Sequence, residues 1–452
     1  PEVRTEVMAS GPDAAAERYS IECFRRGMGQ QTAVADAIRR MGGIIEVITK
    51  DQFRMEATLT RAQLLAVAAM DEVNYIDPWG GPGGTDMDII RQLVGAVPTL
   101  SSLNFLGQGV RGEVFDTEVI ANHVQWNGQA RQLHGVDGNA GLHGTSCFGI
   151  NFATGTGDPT ATGMLPQREQ GIFYYYPQCT QFGGTQSRLA ANIEATNPAG
   201  PFFASYQTSS IGSTQITNYS TISAEVDDYL FQVDFLSSQS QSNTGTQASR
   251  PQAWAKNIVS VGGVQHNNTL TRADDGISGA SYGPAADGRT KPDVANCYDA
   301  IHTTDGTSPT SYTDFGGTSG ATPITAGCFG LINQMWHQQV FNGFGGGLTV
   351  FSDRPRSATA KALMINTAYR YPLAQLPRVR QGWGMADLTN LYNNRNNLLI
   401  INETDVLQNL QTKVYNVAVD PATPELGVTM AYIDPQGNPA ASQARINDLS
   451  LK

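Results

Sequence analysis

The sequence predicts an α/β protein in which a parallel sheet is sandwiched by helices over residues 85–396. A small α+β domain precedes it in residues 1–84, and the first part of a β-sandwich follows in residues 397–452. Three observations predict this. Short apolar runs alternate with helical stretches through the middle of the chain, the pattern of a parallel sheet. The run Gly80-Gly81-Pro82-Gly83-Gly84 cannot continue a helix or a strand, so a linker belongs there. After Leu388 the pattern changes to strands alone, and 452 residues suit two or three domains.

In the first domain Tyr19–Phe24 reads as a strand, Thr32–Met41 as a helix, Ile44–Ile48 and Arg54–Leu59 as strands, Arg61–Met70 as a helix and Val73–Ile76 as a strand. That βαββαβ order is the ferredoxin-like split unit. In the central domain strands are expected at Val110–Phe115, Gly171–Tyr175, Phe202–Tyr206 and Ile258–Val261. Helices are expected at Gly144–Phe152, Arg188–Thr196, Ala224–Val233, Ser319–Val340 and Ser357–Tyr369. Sites in open sheets of this kind lie at the carboxyl ends of strands. The last domain should hold strands at Leu398–Ile401, Lys413–Val419, Gly427–Ile433 and Ile446–Leu451.

A net charge of -11 argues against a nucleic-acid partner. Only 15% of residues are charged and 48 are glycine, a loop-rich composition that places the chain in a secreted or periplasmic setting. No run of apolar residues is long enough to span a membrane. The sequence starts at Pro1 without a basic-then-apolar export signal, so such a signal is expected to have been removed or left out. Five cysteines, Cys23, Cys147, Cys179, Cys297 and Cys328, show no metal-type spacing; Cys147 and Cys328 read as buried free thiols.

The stretch Gly316–Gly327, GGTSGATPITAG, delivers Ser319 to the start of a helix whose apolar positions Ala321, Ile324, Cys328, Leu331, Ile332 and Met335 follow helical spacing. Unpaired N–H groups and the positive dipole end favour negative charge there, so an oxyanion beside Ser319 would be held by the serine's own N–H. Pro323 offers no N–H to the carbonyl of Ser319. Taken alone, the loop fits an ordinary helix capped by Thr318 or Ser319 equally well. A serine nucleophile further needs a base within reach and a carboxylate to orient that base. Of the six histidines, His143 opens a helix in His143-Gly144-Thr145, and His134-Gly135 is its rival among turn formers. Asp116 closes the strand Val110–Phe115.

The nucleophile loop resembles the motif G-T-S-x-A-x-P-x-x-A-G of the subtilases. The stretch VFDTEV around Asp116 is similar to their D-T-G, with Glu118 in place of glycine. HGTS at His143 is similar to H-G-T-H, with Ser146 in place of the second histidine. Asp116, His143 and Ser319 follow one another in the order of subtilisin. Val226–Gly245, VDDYLFQVDFLSSQSQSNTG, resembles the A-A-G-N stretch and points to Asn243 as a side-chain oxyanion donor. Ser240, Gln241 and Ser242 replace the residues before it, and Gln239 and Gln241 remain alternatives. Gly163–Pro166, Gly283-Pro284, Lys291–Val294 and Gln381–Gly384 support the alignment between these points. Ser209–Gly212 takes the place of the cleft-lining N-S-W-G strand. Leu59–Trp79 is similar to subtilase prodomains, and Leu426–Leu451 to the opening of the jelly roll appended to one group of alkaline subtilases.

The resemblance implies a serine endopeptidase acting on protein or peptide substrates. Ser319 would be the nucleophile, His143 the base, Asp116 its orienting carboxylate and Asn243 the oxyanion donor. The implied substrate contacts are Ser210, Ile211, Gly212, Gln241, Gly317 and Thr318. Glu118 is expected to add a negative charge that raises the pKa of His143. Catalysis needs no cofactor; structural calcium is frequent in the family, but no ligands can be assigned among Asp274, Asp275 and Asp299. The N-terminal domain would be an inhibitory partner in a zymogen. A jelly roll needs about eight strands, so the missing ones would have been cut away or belong to a second chain. A different class of function is a scaffold that has lost catalysis and binds partners, a reading motivated by Ser146, Glu118 and Ser240–Ser242.

Overall fold

The computed structural model of the chain describes residues 16–25, 27–48, 54–78, 86–126, 131–135 and 141–451; the Gly80–Gly84 linker lies outside the described residues. The chain divides into two units, Pro1–Gly84 and Thr85–Lys452.

In the first unit β1 (Glu17–Cys23), α1 (Met28–Arg40), β2 (Ile44–Ile48), β3 (Arg54–Leu59), α2 (Arg61–Ala68) and β4 (Val73–Pro78) follow one another. The strands form an antiparallel sheet in the order β2-β3-β1-β4. Alternation along β1 turns Tyr19, Ile21 and Cys23 to one face, where they pack with Val34 and Ile38 of α1 and Leu64 and Val67 of α2. Thr60 and Gln63 close a capping box that starts α2.

The second unit opens with α3 (Asp86–Leu93) and β5 (Arg111–Asp116), followed by β6 (Arg131–His134), α4 (Leu142–Phe152), β7 (Gln170–Tyr175), α5 (Arg188–Ala195), β8 (Tyr206–Ser209), α6 (Thr221–Gln232) and β9 (Leu236–Ser240). Then come β10 (Val259–Gln265), β11 (Gly276–Ile277), β12 (Val294–Cys297), β13 (Ile301–Thr304), β14 (Tyr312–Phe315) and α7 (Thr318–His337). Helices α8 (Val350–Asp353), α9 (Ser357–Thr367), α10 (Arg378–Gln381) and α11 (Leu388–Asn393) complete it. The main sheet runs β11-β10-β9-β8-β5-β7-β6, with β12 beside β10. Its pairs are parallel apart from the β11 edge.

Both faces of this sheet are covered. Ile172 and Phe173, neighbours on β7, point to opposite sides: Ile172 packs with Val226, Tyr229 and Leu230 of α6, Phe173 with Phe148 of α4 and the α7 side. Helix α7 is buried on all sides from Gly320 to Trp336 and runs through the core. Between Thr318 and Trp336, Ser319 is its only residue that is not buried.

Three expectations change. The strand foreseen at Phe202–Tyr206 is β8, Tyr206–Ser209, because Phe203 leaves the sheet to lie under the Arg111 guanidinium. Strand β9, LSSQS, was not foreseen: it is polar yet buried at every position. The four stretches expected as strands beyond Leu398 carry no ladder. Residues 398–451 contain no helix or strand, since a strand without a paired neighbour has no hydrogen-bonded structure.

Candidate active site

Asp116 is the last residue of β5 and is fully buried. His143 is the second residue of α4, and its Nδ1 stands 2.6 Å from Asp116 Oδ1. The two segments interlock through backbone. Gly144 N–H donates to Thr117 Oγ1 at 3.1 Å, and Ile120 N–H to Thr145 Oγ1 at 2.9 Å. Position 144 must be glycine, because a Cβ there would lie 2.1 Å from the Glu118 carbonyl oxygen. Glu118 itself needs no left-handed backbone. Ser146 stands where the resemblance implies a second histidine, and its hydroxyl donates to the Thr304 carbonyl at 2.8 Å in the interior.

Burial works against a charged imidazole at His143, but the Asp116 carboxylate outweighs it and raises the pKa well above the ordinary histidine value. The neighbouring Cys147 thiol is itself pushed up to about 11 by burial, so near neutral pH it carries no charge and Asp116 is the anion that matters. Glu118, expected to raise this pKa, is not among its main causes. Phe315 packs edge-on against the imidazole at 5.2 Å.

Ser319 is the second residue of α7, after Gly317 at φ 79. Its carbonyl, the one that Pro323 cannot serve, accepts from Ser210 Oγ at 2.9 Å and lies 3.5 Å from Cys147 Sγ. The same sulfur is 3.9 Å from His143 Nδ1. One thiol therefore touches both Ser319 and His143, although no direct hydrogen bond joins the two. Asn243 is exposed, and its Oδ1 accepts from Thr318 N at 2.9 Å and Thr318 Oγ1 at 3.0 Å. With the oxygen anchored, the amide Nδ2 is left as a donor; a Cβ on Gly317 would come within 2.9 Å of it. Thr318 Oγ1 in turn accepts from Ser242 N–H.

Gln239 is occupied, its amide donating to the Ile211 carbonyl at 3.0 Å. Both amide atoms of Gln241 are buried without a partner. Gly212 lies against Arg250, whose Nη1 takes its carbonyl at 3.0 Å. The rival His134 has a carboxylate on each ring nitrogen, Glu113 at 2.7 Å and Glu194 at 2.9 Å, and is buried. Burial alone would lower its pKa, but the two carboxylate partners outweigh it and raise it, which marks a structural histidine.

All five cysteines are free and buried. Among the described residues, Asp116, His143 and Cys147 are the one group that brings three metal-ligating side chains together. Asp299 is taken up by His266, Asp275 by Tyr371 and Asp274 by Thr269. Sequence reasoning missed the parts played by Cys147, Phe315 and the Ser210 hydroxyl, which no local pattern marks.

No curated protein sequence matches the chain. Among solved structures it is similar to the prenylagaramide maturation protease PagA, with a TM-score of 0.51 and 16% identity over 67% of this chain and 99% of that one. It is also similar to the epidermin leader peptide processing serine protease EpiP of Staphylococcus aureus, at TM-score 0.47 and 15% identity over 84% of this chain and 98% of that one. A third is fervidolysin of Fervidobacterium pennivorans, at TM-score 0.48 and 16% identity over 85% and 62%. The sequence model that describes the subtilase family matches residues 51–391. The chain belongs to the subtilase family of serine proteases.

Proposed function

We propose that the protein is a serine endopeptidase that cuts protein or peptide chains through an acyl-enzyme. Ser319 Oγ attacks the peptide carbonyl while His143 takes its proton, and Asp116 holds the imidazole and stabilises its charge. The oxyanion is held by Asn243 Nδ2 and the N–H of Ser319 at the start of α7. His143 then protonates the leaving amine, and water repeats the sequence on the ester. The observation that carries this reading is the singular position of Ser319, partly exposed on an otherwise buried helix and tied through Cys147 to the Asp116–His143 pair.

A fluorophosphonate probe tests it. The protein freed of residues 1–79 should be labelled at Ser319, and Ser319→Ala should abolish both labelling and peptide hydrolysis. Absence of labelling in that protein without the substitution would favour the binding-scaffold reading.

Residues 1–84 are proposed as a ferredoxin-like inhibitory prodomain, a reading supported by the order and antiparallel register of β1 to β4. Cleavage within Gly80–Gly84 should raise peptide hydrolysis; unchanged activity after removal of the domain would refute inhibition. Residues 397–452 are proposed as part of a jelly roll completed by a second chain. The apolar residues Val414, Tyr415, Val417 and Val419 are exposed along one stretch, which supports that reading. A secreted or periplasmic location rests on composition, and structural calcium on family precedent; a fall in melting temperature with chelator would support the latter.

A further inference from the structure

The carboxyl ends of β8 and β9 flank the nucleophile. Ser210, just past β8, holds the Ser319 carbonyl, and Asn243, just past β9, holds the Thr318 N–H. Arg250 joins these two ends. Its backbone N–H donates to the Gln241 carbonyl at 3.1 Å, and its Nη1 donates to the carbonyls of Gly212 at 3.0 Å and Ser213 at 3.1 Å. Gly212 accommodates the side chain: a Cβ there would sit 2.8 Å from Arg250 Cδ.

This cation lacks a counter-charge. In the same unit Arg111 lies beside Glu169, Arg272 beside Asp387 and Arg289 beside Asp287, while Arg168 and Arg380, like Arg250, form no ion pair with a carboxylate among the described residues. No carboxylate among the described residues pairs with Arg250, and burial with nothing to offset it lowers its pKa. Its Nε is buried without a partner, and Nη2 makes no hydrogen bond to the described residues. A half-buried guanidinium that spends one nitrogen on carbonyls and leaves the rest unpaired is incomplete in a chain whose net charge is -11.

We infer that Arg250 is a specificity-determining residue and that the cleft selects an acidic side chain, glutamate or aspartate, on the residue whose carbonyl Ser319 attacks. That residue's carbonyl must lie between Ser319 and Asn243, so its side chain falls between the walls that Arg250 spans. A carboxylate there receives a charge-assisted hydrogen bond from Nη2, which is hydrogen-bonded to no described residue and is not buried as Nε is. The inference rests on the protease reading above.

The test uses protein freed of residues 1–79 and fluorogenic peptides identical except for Glu, Gln, Phe or Lys at the attacked residue. At low salt kcat/KM should favour Glu over the isosteric Gln by about tenfold or more, and added salt should shrink the ratio. Arg250→Met should bring the ratio close to one, and Arg250→Lys should keep part of it. If Arg250→Met does not fold, the Glu-to-Gln ratio of the unaltered protein still decides: a ratio near one overturns the inference. Equal losses on both peptides in Arg250→Met would make Arg250 a structural strut and overturn it as well. Fluorophosphonate labelling with no preference for Glu sinks this inference alone, whereas absence of both labelling and hydrolysis sinks the protease reading with it.

Discussion

The hydroxyl of Ser210 donates to the carbonyl of Ser319 at 2.9 Å, replacing the intrahelical N–H that Pro323 withholds. A loosened first turn is thereby fixed from outside the helix, by the end of a neighbouring strand. Ser210→Ala strands that carbonyl and should lower stability by about 1–3 kcal/mol in chemical denaturation. Pro323→Ala returns a donor to the same oxygen. The double variant should therefore lose less than the two single losses added together, and strict additivity would show that the two groups do not serve one carbonyl.

Asn243 is held by its oxygen, which leaves its amide Nδ2 for the proposed oxyanion role. Asn243→Ala is expected to lower kcat by about a hundredfold or more with KM little changed. Thr318→Val, which removes the hydroxyl between Ser242 and Asn243, should give a smaller loss of the same kind. A higher KM at constant kcat would mark Asn243 as a ground-state contact instead.

Ser242 sits at φ 113, a backbone region where a side chain is strained, and it occupies the glycine position of the A-A-G-N motif. Such a residue stores about 1–3 kcal/mol. Ser242→Gly should raise the denaturation midpoint even though it deletes the 3.0 Å contact from Gln215 Nε2. A lower midpoint would show that the contact outweighs the strain.

The raised pKa of His143 sets the direction of the pH profile. The base must be neutral to accept a proton, so kcat/KM should climb with pH through a limb that lies above the ordinary histidine value. Asp116→Asn removes the anion that holds the proton, and should move that limb down while lowering the plateau by orders of magnitude. A limb that stays in place in Asp116→Asn would refute the assignment.

Lys256 Nζ lies 3.5 Å from Asp227 and 3.1 Å from Asp434, and also donates to the Ala444 carbonyl. It clips the segment around Asp434–Asn447 onto the body of the second unit. Burial, only partly offset by Lys256, raises the pKa of Asp227. Lys256→Met removes the cation nearest two buried carboxylates and should reduce stability by about 3–5 kcal/mol at neutral pH. The deficit should shrink as the pH falls and Asp227, whose pKa is raised, takes up a proton. A deficit independent of pH would mean that packing, not charge, secures the clip.

The residues Asp116, His143 and Ser319, their order and the elements that carry them were legible because each sits in a short local pattern. A strand end, a histidine before glycine and a glycine-rich turn before an apolar run are all written within a few neighbours. The same holds for residues 17–78, where period-two and helical spacing locate every element to within a few positions. Strand β9 escaped because burial of Leu236–Ser240 follows from helices packed on both faces, not from apolar composition. The bonds from Ser146 to Thr304 and from Ser210 and Cys147 to Ser319 escaped for a related reason: each joins residues more than a hundred positions apart. The strands foreseen beyond Leu398 have the alternation of a sheet, yet pairing requires a neighbour that alternation cannot supply. Sequence alone determined which residues could do the chemistry and in what order they come. Tertiary structure decided what holds them, because a hydrogen bond to a distant carbonyl leaves no periodicity in the chain.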